Sequence, residues 1–301
     1  MKPLTVMTAV LTFLILALAP SAALGQAPPG PTNPFHREFD VPHPPACFDE
    51  IVLVGALAPG VTTPRHTTGG DQYITVIAGE LTRRVFGRAT TEQRYKTGDT
   101  VIERAGELQQ VANAGTVPTR WLATILLPQG TPLTTVQPTG ATSQQLPPGV
   151  TVVYQARRTV ARPAARFTVV QDELDFAPGV WVPLHTHGGQ AFGLVLKGAF
   201  TDHRQHAELK YKAGDSFTEP PNTPHTIGNA GTVEASFFGT ILLPPGGAVI
   251  TILGAPASHM PTTLPQTGQN NGDVPQLWLA VMAGSGAIAA GWLIRRKERR
   301  A

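Results

Sequence analysis

The chain has 301 residues, with 23 Lys and Arg against 20 Asp and Glu and a sequence pI near 9.2. The basic balance is an end effect: setting aside Lys2, the five basic residues after 294, Asp273 and Glu298 leaves 17 basic against 18 acidic side chains in residues 26–267. A nearly neutral body without a clustered basic face excludes nucleic acid as a partner, and the single cysteine, Cys47, excludes an intramolecular disulfide. Cys47 is expected to be a small buried hydrophobe.

In chain order, residues 1–25 place Lys2 ahead of an apolar stretch from Val10 to Ala19 and the small-residue sequence Ser21-Ala-Ala-Leu-Gly25. That is the order of a cleaved secretory signal peptide, and its apolar core is shorter than the roughly 20 residues of a membrane span. Residues 26–46 hold seven prolines and read as an extended arm. Residues 47–130 and 151–255 form two domains, each long enough to bury its own core, joined by a Thr-, Gln-, Pro- and Gly-rich linker, 131–150. Short runs such as Tyr73-Ile-Thr-Val-Ile77, Phe167-Thr-Val-Val170 and Phe192-Gly-Leu-Val-Leu196 are bounded by Gly or Pro. This pattern predicts an all-β fold of sandwiches or barrels.

A polar stalk follows, residues 256–276, carrying Leu264-Pro265-Gln266-Thr267-Gly268 ahead of an apolar segment, 277–294, and a basic tail, 295–301. The order resembles the sorting signal that sortase transpeptidases cut between Thr and Gly. The resemblance implies a sortase partner, transient membrane retention through 277–294, and attachment to cell-wall peptidoglycan. The other reading is a single-pass transmembrane anchor with the basic tail on the cytoplasmic side. Both place the two domains outside the cytoplasmic membrane.

The domains are copies of each other. Gly60 to Gly179 and Gly79 to Gly198 are 119 apart, whereas Gly98 to Gly214, Asn113 to Asn229 and Thr124-Ile-Leu-Leu-Pro128 to Thr240-Ile-Leu-Leu-Pro244 are 116 apart. The second copy reads Gly179-x5-His185-Thr-His187, continues to Gly198, and closes with Gly214-x5-Pro220-x-Asn222-x2-His225-x3-Asn229. This resembles the paired motif of the cupin superfamily, small jelly-roll (double-stranded β-helix) barrels that hold a metal on clustered histidines. The resemblance implies two tandem cupin barrels and, by analogy with strand-exchanging cupins, a homodimer.

In a strand, alternate side chains share a face, so His185 and His187 point the same way, and the second motif brings His225 from another strand. Three neutral imidazoles suit divalent iron, manganese, copper, nickel or zinc, and leave positions open for water or substrate. The family's usual Glu, four residues after the second His, is replaced by Ala191. Gln190 is the candidate fourth ligand or outer partner, and reaches the site only through a bulge at Gly188-Gly189. The first copy's equivalents are His66, Thr68, Gln72 and Gln109, a poor transition-metal set. Ile74 and Val76 predict a filled first barrel, whereas Ala191, Gly193 and Val195 predict a roomier second pocket. Glu219 and Trp181 cannot be assigned a side. Two functions stay open: an extracellular metal-dependent oxygenase or oxidase acting on a small organic molecule, its catalytic residues unassigned, or a non-catalytic module binding metal or a small ligand such as a sugar.

Overall fold

The computed structural model describes residues 30–137, 148–161 and 163–254. The expected signal peptide, the stalk with its sorting motif, the apolar segment and the basic tail lie outside the described residues. Among the described residues, no helix is long and apolar enough to cross a membrane.

The described residues form strands alone, in keeping with the all-β expectation. The first repeat contributes β1 (Thr32–Val41), β2 (Phe48–Leu57), β3 (His66–Thr68), β4 (Asp71–Ala78), β5 (Glu80–Phe86), β6 (Thr90–Lys96), β7 (Thr100–Glu103), β8 (Gln109–Ala112), β9 (Thr119–Pro128) and β10 (Thr134–Val136). The second contributes β11 (Val150–Val160), β12 (Phe167–Phe176), β13 (His185–Thr186), β14 (Gln190–Lys197), β15 (Ala199–Arg204), β16 (Ala207–Lys212), β17 (Ser216–Glu219), β18 (His225–Gly228), β19 (Ala235–Leu243) and β20 (Thr251–Ile252). The first barrel faces sheet β11-β2-β9-β4-β7 against β10-β3-β8-β5-β6, and the second faces β1-β12-β19-β14-β17 against β16-β15-β18-β13-β20. These are two jelly-roll barrels.

The repeated glycines mark matched turns. Gly98 and Gly214 both have φ of 91°, and Gly79 and Gly198 have φ of 72° and 66°. A side chain at Gly198 would place its Cβ 2.6 Å from the Glu234 carbonyl. Positive φ without a Cβ is what glycine alone offers cheaply.

Strand membership crosses the expected domain boundaries. The proline-rich arm is not a free extension: β1 lies antiparallel to β12, with Phe39 opposite Val169 and Val41 opposite Phe167, at the edge of the second barrel. Its equivalent 119 residues later, β11, lies at the edge of the first barrel, where Val160 pairs with Phe48. Residues 150–160 therefore belong to the first barrel's sheet. The 131–150 segment is also only partly a linker, because β10 pairs with β3 in the first barrel. The physical reason is edge protection: β2 and β12 would otherwise leave a row of unpaired backbone groups. Cys47, expected buried, is half-exposed and free just ahead of β2.

The exchange brings the barrels together over a mixed core. Phe39, Phe48, Tyr73 and Leu126 pack with Phe167, Val169 and Leu242, and Val52, Val54 and Leu122 pack with Phe192, Leu194 and Phe238. Burying such side chains contributes roughly 1.5–3 kcal/mol each. Two buried polar side chains inside this contact are paired across it. Gln171 donates to the Tyr73 carbonyl and to Thr124 Oγ1, both at 2.8 Å, and accepts from Thr75 Oγ1 at 2.8 Å. Fully buried Glu50 meets Arg158 from β11 and accepts from Thr240 of the second barrel at 2.5 Å. Burial raises the Glu50 carboxyl above its ordinary range despite the Arg158 charge.

Candidate metal centre in the second barrel

His185 and His187 flank Thr186, on β13 and just beyond its end, and β13 crosses β18 where His185 pairs with His225. The i, i+2 spacing predicted a shared face, and the ring centroids lie 4.2 to 5.4 Å apart. One nitrogen from each ring falls within 4.8 Å of the others, the one such group among the described residues. His185 and His225 are each 2% exposed.

Backbone carbonyls orient all three rings. His185 Nδ1 lies 2.7 Å from the Pro183 oxygen, His187 Nδ1 2.5 Å from the Val249 oxygen, and His225 Nδ1 3.0 Å from the Thr223 oxygen. A carbonyl can only accept, so each Nδ1 carries a proton, and Nε2 is the nitrogen left to ligate once it is deprotonated. Holding one ring nitrogen in this way prepares the other for a metal. The turn before β18 helps: Asn222 has φ of 57°, and its N–H donates to the His187 carbonyl at 2.8 Å. Gly106 does the same to Thr68 in the first barrel at 2.9 Å. Asn tolerates this left-handed conformation better than most side chains.

Sequence reasoning left Glu219 without a side, and the structure supplies one. Ala191 on β14 pairs with Glu219 on β17. The carboxylate missing from position 191 therefore stands directly across the sheet. Glu219 is 5% exposed, with its oxygens 3.2 Å from His187 Nε2 and 3.1 Å from His225 Nε2. The His225 contact lacks hydrogen-bond alignment, so that buried Nε2 has no hydrogen-bond partner. Burial would raise the Glu219 carboxyl, but the two histidines outweigh it and hold it well below the carboxylate range. Burial would likewise lower His225, and Glu219 reverses the sign, raising it above the ordinary imidazole value. His185 is pushed down to about 4 by burial and then by the His225 charge, which keeps its lone pair free. An unpartnered buried nitrogen, three lone pairs on one point and an adjacent carboxylate fit one divalent metal ion.

A sequence signal for Glu219 existed. Glu103 lies 116 residues earlier, so the acid just ahead of the second motif's turn recurs in both copies. Further round the wall, Asp202 on β15 is fully buried, with Oδ2 accepting from Arg204 Nε at 2.8 Å and Oδ1 unpartnered. Burial raises its carboxyl despite Arg204. Trp181 lies tilted against His203, with centroids 4.9 Å apart, and fits against Gly228.

Gln190 opens β14, half-buried and paired with Leu242. Gly188 and Gly189 are used for close approach, not for a bulge: Cβ atoms there would lie 2.7 Å from the Ala248 nitrogen and 2.3 Å from the Leu242 oxygen. Ala191 faces inward against Val170 and Ile241.

The expected contrast in pocket size is reversed. A Cβ on Gly193 would lie 2.1 Å from Phe217 Cζ, because the Phe217 ring occupies the space that the glycine leaves. Phe217 packs with Phe176, Phe200, Phe237 and Val195, so Gly193 and Val195 line a filled region. The first barrel, expected to be filled, holds a cavity of about 170 Å³. The equivalent pair there is Ile74 and Val101.

In the first barrel the degenerate positions keep the backbone plan but not the donors. His66 pairs with Gln109 as His185 does with His225, and His66 Nδ1 lies 2.8 Å from the Pro64 oxygen. Gln109 is spent on its neighbours, accepting from Arg83 Nε and donating to Glu103, each at 2.6 Å. Thr68 is buried with its hydroxyl unpartnered, and Gln72 pairs across the sheet with Glu103.

Two jelly-roll barrels, one with clustered histidines, define a class, and the sequence agrees: the family described as the cupin domain matches residues 53–125 and 173–242. The matches fall one to a barrel, which supports a bicupin of the cupin superfamily. Among solved structures, a variant of Bacillus subtilis oxalate decarboxylase is similar at 14% identity and a TM-score of 0.51, covering 74% of this chain and 77% of its own. A structure addressing substrate binding and reaction specificity in oxalate decarboxylase is similar at 14% identity, a TM-score of 0.50 and the same coverage. The formate complex of Lactobacillus farciminis oxalate decarboxylase is similar at 15% identity and a TM-score of 0.49, covering 76% and 85%. At such identities the likeness is one of fold. No curated protein is similar to the chain in sequence.

Proposed function

We propose that the protein is an envelope-displayed bicupin whose second barrel holds one divalent metal on His185, His187 and His225, with Glu219 as the anionic neighbour, and acts there as an oxygenase or oxidase on a small organic molecule. The observation that carries the metal reading is the set of three Nδ1–carbonyl contacts that turn every Nε2 toward a common point. A bound divalent ion supplies Lewis acidity and a template that orients substrate. The chain's own residues do the rest. Glu219 lowers the net charge of the centre and holds a proton near His225 Nε2 while no metal displaces it. The Asp202–Arg204 pair is a second buried polar group on the same wall. The aromatic packing around Phe217 narrows the barrel beside the centre.

That packing also favours a second reading, a closed centre that binds metal without turnover. Elemental analysis of the purified protein, with oxygen uptake, separates the two. One iron, manganese or copper per chain with oxygen-dependent consumption of a small acid or phenol supports the enzyme. His225→Ala should abolish metal binding, and His66→Ala should leave it intact. Equal loss from both would overturn the one-centre reading.

Display on the envelope rests on the order of Leu264-Pro265-Gln266-Thr267-Gly268, apolar segment and basic tail. Changing Leu264 and Thr267 to Ala should move the protein from the wall fraction to the membrane or the medium. Unchanged fractionation would favour the single-pass anchor.

A further inference from the structure

The first barrel has lost its metal donors and kept an interior. Its cavity of about 170 Å³ is walled by Leu53, Ile74, Trp121 and Ile125, with Val150 and Val152 of the exchanged strand β11 on one side. An apolar cavity of about 150 Å³ is large enough to take a benzene ring. Of the polar side chains in the lining, His66, Gln72 and Glu103 stand at the old metal position, and Thr63, Thr134, Thr151 and Gln155 lie around the rest of the wall.

The chemistry of those groups selects a ligand. His66 Nδ1 is committed to the Pro64 carbonyl at 2.8 Å, so its Nε2 is an acceptor. Glu103 gives Oε2 to Gln109 at 2.6 Å, while Oε1 lies 3.9 Å from Arg83 Nε, beyond hydrogen-bond reach. Both groups ask for a donor. No Lys or Arg lines the cavity, so an anion would bring its charge beside a carboxylate in an apolar chamber. Burying such a charge without a partner is costly.

We infer that the first barrel is a second, metal-free binding site for an uncharged molecule of about one ring carrying a single hydroxyl donor, a phenol-like alcohol. Its ring lies against Trp121 and Ile74, and its O–H points to His66 and Glu103. The site is independent of the second barrel's metal.

Calorimetric titration of the intact protein with phenol, benzoate and benzene tests this. Phenol is expected to bind with one site per chain, with benzoate at least about tenfold weaker for want of a cationic partner. Val152→Phe, which fills the cavity from its β11 side, should abolish phenol binding, and His225→Ala should leave it unchanged. His66→Phe keeps a ring at that position and removes the acceptor. It should weaken phenol by about fivefold and leave benzene unaffected, as for one lost hydrogen bond, and it decides the matter if Val152→Phe fails to fold. Benzoate binding as tightly as phenol, absence of phenol binding, equal loss of phenol and benzene in His66→Phe, or loss of phenol binding in His225→Ala would each overturn the inference.

Discussion

Glu219 shows how a site can keep its charge while changing its sequence signature. A search along one strand finds Ala191 where a carboxylate would stand, yet the carboxylate sits opposite it on the next strand, 3.1–3.2 Å from two imidazole nitrogens. Glu219→Ala should weaken metal binding by about 10–100-fold, the usual cost of removing such a partner, and Ala191→Glu in that background should recover part of it, read by competition with a chelator. The proton dependence has a definite sign. A protonated Nε2 cannot ligate, and Glu219 raises His225 above its ordinary value of 6.5. Metal affinity should therefore begin to fall above pH 6.5 as the solution is acidified. In Glu219→Gln the fall should move to lower pH; an unmoved profile would show that Glu219 does not act on His225.

At the scale of the element, the facing pairs on β4 with β7 and on β14 with β17 divide the same interior position differently between two strands. Ile74 pairs with Val101 in the first, and Gly193 pairs with Phe217 in the second. Reading inward positions one strand at a time predicted open space at Gly193, which the Phe217 ring occupies. The partner that fills the space is 24 residues away in sequence and adjacent only across the ladder. Gly193→Ile alone should destabilise the protein by about 1–3 kcal/mol through overpacking. Adding Phe217→Val, which recreates the first barrel's pair, should restore most of it, and chemical denaturation of the four proteins should show coupling above roughly 1 kcal/mol. Additive effects would mean that the two side chains do not share one space.

At the scale of the molecule, strand exchange joins the barrels into one folding unit. β1 completes the second barrel, β11 completes the first, and buried Glu50, Thr240 and Gln171 are paired in the contact between them, with half-buried Arg158 donating to Glu50. A fragment of residues 148–254 would keep β11 without β2 and lack β1, leaving two unpaired edges and half of a mixed apolar core. It should show no cooperative thermal transition by circular dichroism, whereas the intact protein should unfold in one. Independent folding of the fragment would mean that the exchange is dispensable.

The sequence by itself determined the repeat, the all-β character and the three histidines. Glycine turns, alternation along a strand and an i, i+2 pair are local features that survive in linear order. It also held a trace of Glu219, in the acid that recurs at position 103. Only the tertiary structure decided that the proline-rich arm belongs to the far barrel, that a carboxylate faces Ala191, that Phe217 fills the space beside Gly193, and that the first barrel keeps a cavity. Each of these is a relation across a sheet or between barrels, where register and side-chain volume act between residues that the sequence does not place side by side.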